Sequence, residues 1–382
     1  MRFIDIFAGA GGFSLGLFQA GLKGIFAVER DPMAFSTLQH NLINGKKAFE
    51  WPDWLPKNPF DITALMKKYR DQLKNIAGKV DLVVGGPPCQ GFSIAGRRME
   101  HDERNTLFRE YINFVKLVKP RILLFENVPG FSYSFNKIGK SRAPYSEMLA
   151  KELRKLGYEI PMSQILDFSK FGVPQRRKRL ILFAYERGGD PYVFFEHLNS
   201  MGVIPEINVV QAISDLRRIH GEKISPDSAR FKAGMYGEPE SMYQKIMREG
   251  SFGDSPDSHR FANHTSNIVS RFRRIISSDV EASDIFYSMG LKKRDITALK
   301  PDQPSPTLTT LPDDYVHYEE PRILTVREYA RLQSFPDWFV FRGNYTTGGK
   351  RRSLQIPRYS QVANAVPPAF SKNVGITLKR VD

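Results

Sequence analysis

The chain opens on Phe3-Ile4-Asp5-Ile6-Phe7-Ala8, a nearly continuous apolar run that predicts a buried strand. A glycine turn, Gly9-Ala10-Gly11-Gly12, follows it. Residues 13–21 predict a helix closed by Gly21, and residues 24–29 a second strand. Residues 31–43 predict a second helix, opened by Asp31-Pro32. The rhythm continues with a strand at 80–84, a helix at 106–118, a strand at 121–126 and a helix at 146–156. Strands near 162–167 and 179–185 complete it. Strands alternating with helices predict an α/β fold whose parallel sheet is covered on both faces. Residues 50–60 and 132–145 read as surface loops.

After Arg187 the alternation stops. Residues 188–311 are rich in Ser, Gly, Pro and Asp with weak periodicity, which predicts a smaller, irregular second domain. A helix returns at 325–334, where Thr325 and Glu328 make a capping box. One further helix is expected over 359–379, packing back on the first domain. The expected organisation is a catalytic domain over 1–187, completed by 345–382, and a recognition domain with its hinge over 188–344.

Composition narrows the function. The 382 residues are 41% hydrophobic and 12% aromatic, a globular balance. The net charge of +15 points to a polyanionic partner, nucleic acid before a membrane surface. The excess lies in residues 1–187, with 30 basic and 18 acidic side chains, net +12. Residues 188–311 carry 15 and 16, net −1, with local clusters at Arg271-Phe272-Arg273-Arg274 and Lys292-Lys293-Arg294. One cysteine excludes a disulfide framework, a CxxC redox pair and a cysteine-built zinc site. No apolar run reaches the roughly 18 residues of a membrane span, and Asp5 breaks the opening stretch too early for a secretory signal. A cytosolic protein is expected.

Four places carry candidate chemistry. The turn Gly9-x-Gly11-Gly12 joins a strand to a helix amino end, and Glu29 ends the next strand, where a ribose-binding acid belongs. Ser14 replaces the last glycine of the dinucleotide fingerprint, which favours a nucleoside without a pyrophosphate. The loop Gly85-Gly86-Pro87-Pro88-Cys89-Gln90-Gly91-Phe92-Ser93 places the only cysteine past a strand end on a proline-stiffened perch, as a nucleophile requires. Glu126 ends another apolar strand at the same sheet edge, suited to act as an acid. In Gln175-Arg176-Arg177-Lys178-Arg179, strand alternation sends Arg177 and Arg179 to one face, where two guanidinium groups suit an acceptor-rich planar substrate or a phosphate.

These segments resemble the bacterial DNA (cytosine-5)-methyltransferases. The matching motifs run in family order: DIFAGAGGFSLG at 5–16, Glu29, Asp61-Ile62-Thr63, GGPPCQGFS at 85–93, RNTLF at 104–108, ENV at 126–128 and QRRKR at 175–179. Pro306-Thr307-Leu308, RILTVREYARLQSFP at 322–336 and QVANAVPP at 361–368 follow. Two positions depart: Arg30 follows Glu29, and Ala363 replaces a glycine before Asn364. The resemblance implies a Rossmann-like domain using S-adenosylmethionine, a target-recognition domain, double-stranded DNA as substrate and no metal. Phe7 would stack on adenine, Glu29 would take the ribose hydroxyls, and Asp61 with Ile62 would hold the adenine edge. Gly9, Gly11, Gly12 and Pro87 would line the rest of the cofactor, with Asn364 and Val366 closing the pocket. Cys89 would attack cytosine C6, Glu126 would act at N3, Arg179 would hold O2, and Arg177 would support the loop or a phosphate. Gln90, Ser93, Arg271, Arg273, Arg274 and Thr307 would face the DNA.

The family setting implies a monomer, a restriction–modification system and a cognate endonuclease. A tRNA cytosine-5 methyltransferase is one alternative, but the Cys-Phe-Thr tripeptide usual in that group is absent. A catalytically inactive DNA-binding homologue is a second, disfavoured because Cys89 and Glu126 are both present. A nicotinamide-dependent oxidoreductase is a third, opposed by Ser14 and the thiol perch.

Overall fold

A computed structural model describes residues 1–87, 104–133, 135–137, 140–202, 205–277, 296–347 and 355–381. Contacts divide the chain into two compact units. The first is Met1–Phe171, Lys178–Val203 and Phe370–Asp382, and the second is Gly172–Arg177 and Ile204–Ala369.

The first unit is built on β1 (Arg2–Ile6), β2 (Lys23–Val28), β3 (Leu82–Gly85) and β4 (Ile122–Asn127). The sheet order is β2-β1-β3-β4, followed by strand Lys178–Tyr185 and then Met162–Asp167. The four named strands pair in parallel, with Ile6 beside Gly85 and Gly85 beside Phe125. The last two do not follow. Lys178–Tyr185 runs antiparallel to both β4 and Met162–Asp167. The sheet is therefore mixed, which corrects the all-parallel expectation. Only residues 168–177 separate the last two strands, fewer than a parallel crossover needs, so they pair antiparallel.

The strands are apolar because both sheet faces are covered. Ile4, Ile6, Val83, Leu123 and Phe125 are fully buried and share one core cluster with Phe114, Val115 and Leu149. Helix α1 (Gly12–Gln19) follows β1, and α2 (Pro32–Leu38) follows β2. Asp31 caps α2 by accepting from the Met33 and Ala34 N–H groups, and Pro32 supplies the pre-set first φ. Beyond Leu38 the coil widens to a π-helix over Gln39–Gly45 instead of continuing to residue 43 as an α-helix.

Two expected surface loops differ from expectation. Residues 50–60 lack regular structure, yet Leu55 is buried and Trp51, Trp54 and Phe60 pack against the core. Their apolar content decides burial where no periodicity exists to announce it. Residues 132–145 include a short hairpin, Phe135–Lys137 with Lys140–Arg142. The single helix expected over 359–379 is two, Arg358–Asn364 and Pro368–Val381. Pro367 and Pro368 break it, because proline disfavours helical backbone in the residue before it.

The second unit is not featureless. It contains the hairpin Glu222–Ser225 with Ser228–Gly234. Helices Val209–Ile213, Met242–Arg248, Ser266–Ser277, Val326–Leu332 and Arg358–Asn364 also lie in it. Short, separate pieces without a shared period explain why the sequence reads as irregular.

Phe125 sits between Tyr111 and Phe131, with ring centroids 5.1 Å from each. Phe125→Ala should destabilise the first unit by about 3–5 kcal/mol. Urea denaturation of both proteins checks this, and a loss below about 1 kcal/mol would show that the site collapses around the smaller side chain.

Candidate functional site

The carboxyl ends of β1, β3 and β4 lie side by side, and the chain leaves each into a candidate segment. After β1, Phe7 takes a left-handed φ of 62°, rare for a bulky residue and typical of binding sites. Gly9 and Gly11 follow at 57° and 91°, where glycine carries no Cβ penalty. A Cβ on Gly11 would stand 2.9 Å from the Leu42 side chain. Gly11 caps α1 without a side-chain bond. Ser371, on the C-terminal helix, donates to the Gly12 carbonyl at 3.2 Å and ties that helix to the turn.

Glu29 ties the turn to the end of β2. Its Oε2 accepts from the Gly9 N–H at 2.9 Å and its Oε1 from the Asp31 N–H at 2.7 Å. Burial pushes the Glu29 pKa above the usual carboxylate value, against the lowering effect of these bonds. The Phe60 N–H donates to the Glu29 carbonyl at 2.8 Å, which brings Asp61 and Ile62 to the same place. Asp61 caps α3 (Ile62–Lys68), its Oδ1 accepting from Thr63 at 2.9 Å and Ala64 at 3.2 Å. Ile62 is buried.

Below the turn lies a residue the sequence reading passed over. Asp5, inside β1, is fully enclosed, and Ser14 Oγ donates to its Oδ2 at 2.5 Å. Burial pushes the Asp5 pKa up to about 7, opposed by hydrogen bonds from the Ser14 hydroxyl and backbone and reinforced by Glu29. Ser14 therefore points into the core and not towards a ligand. A carboxylate within an otherwise apolar strand was the available signal.

The second segment leaves β3. A Cβ on Gly85 would stand 2.6 Å from the Ile6 carbonyl oxygen. One on Gly86 would stand 2.8 Å from Glu126 Oε2 and 3.0 Å from its carbonyl oxygen. Only glycine permits this approach. Asn127 Nδ2 reaches the Pro87 carbonyl at 3.5 Å. Cys89, Gln90 and Ser93 lie outside the described residues, Cys89 two positions beyond Pro87.

Glu126 is held from the other side by Arg179, whose Nε is 3.0 Å from Oε1, each side chain 13% exposed. Arg177 does not share this setting through strand alternation. The strand begins at Lys178, and Arg177 is a buried residue of the second unit. The motif around it is anchored there instead. Buried Gln175 donates to Gln333 at 3.1 Å and accepts from the Leu308 N–H at 3.2 Å. Thr307 Oγ1 donates to the Arg176 carbonyl at 2.8 Å, so this side chain is engaged locally.

Also in the second unit, Arg273 and Arg274 are exposed and Arg271 half-buried on helix Ser266–Ser277. The opposite face places Phe272 and Ile275 in a small core with Val316 and Ile323. Asn364 is exposed and Val366 half-buried on the turn after helix Arg358–Asn364. Gln333 holds that turn by donating to the Val362 and Ala365 carbonyls at 2.8 and 3.2 Å.

Among the described residues no group of three or more His, Cys, Asp or Glu could hold a metal ion. No described helix is long and apolar enough to cross a membrane.

The chain is similar to known proteins. The family model for C-5 cytosine-specific DNA methylases matches residues 1–380. Type II methyltransferase M.DdeI of Desulfomicrobium norvegicum is 33% identical, with 97% of this chain and 87% of that protein aligned. Type II methyltransferase M1.HphI of Haemophilus parahaemolyticus is 32% identical over 98% and 85%. Two solved structures share the fold. A protein described as a DNA modification methyltransferase encoded within an E. coli prophage matches with a TM-score of 0.68 at 24% identity, covering 100% of this chain and 99% of its own. The S. pombe Dnmt2 methyltransferase matches with a TM-score of 0.58 at 18% identity and the same coverage.

Asp5 gives a signed pH dependence. Its native pKa of about 7 exceeds the ordinary 3.8, so the native state binds this proton more tightly. The resulting stability is complete below about pH 4 and is lost as pH rises through about 7, by at most ~1.4 kcal/mol per pH unit. Asp5→Asn keeps a partner for Ser14 and does not ionise, so it should flatten this decline and melt higher than wild type at pH 8. Thermal melts of both proteins at pH 5 and pH 8 check this, and parallel pH profiles would refute it.

Proposed function

The chain belongs to the C-5 cytosine-specific DNA methylase family, and from that premise we propose how its residues transfer a methyl group from S-adenosylmethionine to C5 of cytosine in DNA. The observation that carries the proposal is the packing of Gly86 on Glu126, with Arg179 on the other carboxylate oxygen. It sets the stem of the Cys89 loop against an acid that a cation already orients.

The cofactor segments fit the nucleoside. Glu29 is fixed by two backbone donors and presents its remaining lone pairs to ribose hydroxyls. Phe7 offers a ring to adenine, and Asp61 with Ile62 borders the adenine edge. Gly9, Gly11, Gly12 and Pro87 allow close backbone approach, and Asn364 and Val366 complete the pocket. When bound, S-adenosylmethionine supplies an electrophilic methyl group.

Cytosine C5 is a weak nucleophile, and Cys89 supplies the activation. Its thiolate adds to C6, and the displaced electron pair moves towards C5 and N3. Glu126 stabilises the developing charge by protonating or hydrogen-bonding N3, while Arg179 holds O2. Arg177 supports the loop or an adjoining phosphate. After C5 takes the methyl group, a base removes the C5 proton, the C5–C6 double bond re-forms, and the Cys89 thiolate leaves. The face of C6 is closed to a side chain inside a stacked duplex, so the cytosine must be flipped out. Gln90 and Ser93 contact the DNA around the vacated position. The second unit selects the sequence, with Arg271, Arg273, Arg274 and Thr307 facing DNA. The similarity to Type II methyltransferases supports a role in a restriction–modification system, in which the enzyme works as a monomer and protects host DNA against a cognate endonuclease.

Glu29→Ala should weaken cofactor binding by about 1.5–3 kcal/mol, the cost of a lost bond to a charged group, with a smaller effect on transfer at saturating cofactor. Calorimetric titration with S-adenosylmethionine measures it, and unchanged affinity would remove Glu29 from the cofactor site.

Cytosine bearing fluorine at C5 tests the mechanism. Methylation leaves no C5 proton to abstract, so elimination stops and Cys89 stays bonded to DNA. Wild type should form a denaturant-resistant adduct that depends on S-adenosylmethionine. Cys89→Ser should form none while still binding DNA, because an alcohol is far less ionised than a thiol near neutral pH. With no second cysteine in the chain, an adduct in that variant would overturn the covalent role.

A further inference from the structure

Buried arginines in the second unit generally have acceptors. Arg322 forks onto Glu328 at 2.8 and 2.6 Å, and Arg331 onto Asp337 at 2.6 Å through two nitrogens. Arg358 holds Asp227 at 2.7 Å. Arg260 is different. Among the described residues no carboxylate lies within ion-pair distance of its guanidinium and no acceptor bonds it. Burial nevertheless disfavours its charged form.

What holds Arg260 is aromatic. Its guanidinium carbon lies 4.1 Å from the Phe231 ring centroid and 3.5 Å from that of Tyr345. Tyr345 is itself fixed. Its hydroxyl bonds Asp227 at 3.2 and 3.0 Å, and the Arg358 guanidinium lies 4.3 Å from its ring. The backbone is fixed as well. Arg260 bridges Ala233 in antiparallel register, between a Gly234 N–H bond to the His259 carbonyl at 3.0 Å and a Phe261 N–H bond to the Lys232 carbonyl at 2.9 Å. It therefore extends the hairpin Glu222–Ser225 with Ser228–Gly234 as a third strand segment.

A partly desolvated guanidinium without protein acceptors leaves its donors to water or to a ligand that supplies acceptors. Stacking on rings removes side-chain freedom in advance and leaves the in-plane N–H donors as the binding groups. Their fixed spacing suits two coplanar acceptors on one edge. Arg230 and Lys232, exposed on the same hairpin, add positive charge without such constraint and suit phosphates.

We infer that Arg260 is a specificity-determining contact of the second unit, donating paired N–H groups to the O6 and N7 edge of a guanine in the DNA. This rests on the reading that the second unit selects the target sequence. Arginine stacked in this way should not be replaceable by lysine, whose ammonium is a point charge without a planar fork.

The test begins by mapping the sites that the wild type methylates and building duplexes with the preferred sequence. Each guanine in turn is replaced by 7-deazaguanine, which lacks the N7 acceptor. Arg260→Met, which keeps most of the stem, should weaken binding to the preferred duplex by about 10- to 100-fold. Its affinity for a random duplex and its salt dependence should match wild type, which also shows that the variant folds. Arg260→Lys, which keeps the charge and a ring contact, should lose specificity similarly and carries the test if the Met variant does not fold. One 7-deazaguanine should weaken wild-type binding and add nothing to the loss in the Met variant. Equal losses on all duplexes with a salt slope reduced by about one would make Arg260 a phosphate contact and overturn the inference. So would unchanged affinity in both variants. A wild type that methylates cytosines without sequence preference would instead remove the reading on which the inference rests.

Discussion

Two glycines at the end of β3 are the constraint on which the site depends. Gly85 passes the Ile6 carbonyl and Gly86 passes Glu126 at distances that no Cβ could occupy. Because β1, β3 and β4 are adjacent and parallel, their carboxyl ends meet at one edge. The glycine turn, the stem of the cysteine loop and Glu126 leave the sheet there together. A side chain at either glycine would push apart the strands that carry the glycine turn and Glu126. Open α/β sheets bind ligands at this edge because the loops and helix amino ends gather there.

Among the described residues at that edge, the buried carboxyl groups Glu29 and Asp5 are bonded. In the first unit Glu29 accepts from the Gly9 N–H of the turn and from the Asp31 N–H before α2, and Asp5 accepts from Ser14 of α1. In the second unit the same holds for Arg322, Arg331 and Glu328. Thr325 and Glu328 exchange capping bonds, and Arg322 then closes on Glu328. Burial, which opposes ionisation of Asp337, is outweighed there by Arg331 and Arg327, and its pKa is lowered. Removing one partner of such a pair leaves an uncompensated buried charge and typically costs 3–5 kcal/mol. The charged residues of RILTVREYARLQSFP are thus internal ties.

The motif Gln175-Arg176-Arg177-Lys178-Arg179 serves two settings. Gln175 and the Arg176 backbone are bound to Leu308 and Thr307 in the second unit. Arg179, two residues past Arg177, pairs with Glu126 in the first. The chain changes unit between Arg177 and Lys178. Alternation along a strand cannot predict such a split, because it presumes that both residues belong to one strand.

The sequence by itself did not determine the helices Ile62–Lys68, Arg70–Asn75 and Pro191–Met201. It determined the strands of the first unit's main sheet, the glycine turn, Glu29 at the end of β2 and Glu126 at the end of β4. Each is a local matter: an apolar run, a turn residue, a cap. The break in rhythm that it marked after Arg187 does not coincide with a unit boundary, because helix Pro191–Met201 still belongs to the first unit. Tertiary structure decided the rest. The antiparallel pairing of the final two strands follows from the short connection between them. The partial burial of Trp51 and Trp54 against the core follows from apolar surface in a segment without a period. Asp5 bonds a serine nine residues away, and Arg260 rests on rings 29 residues before it and 85 after it. A side chain's environment in such cases is set by segments that meet only when the chain has folded, so no local pattern can carry it.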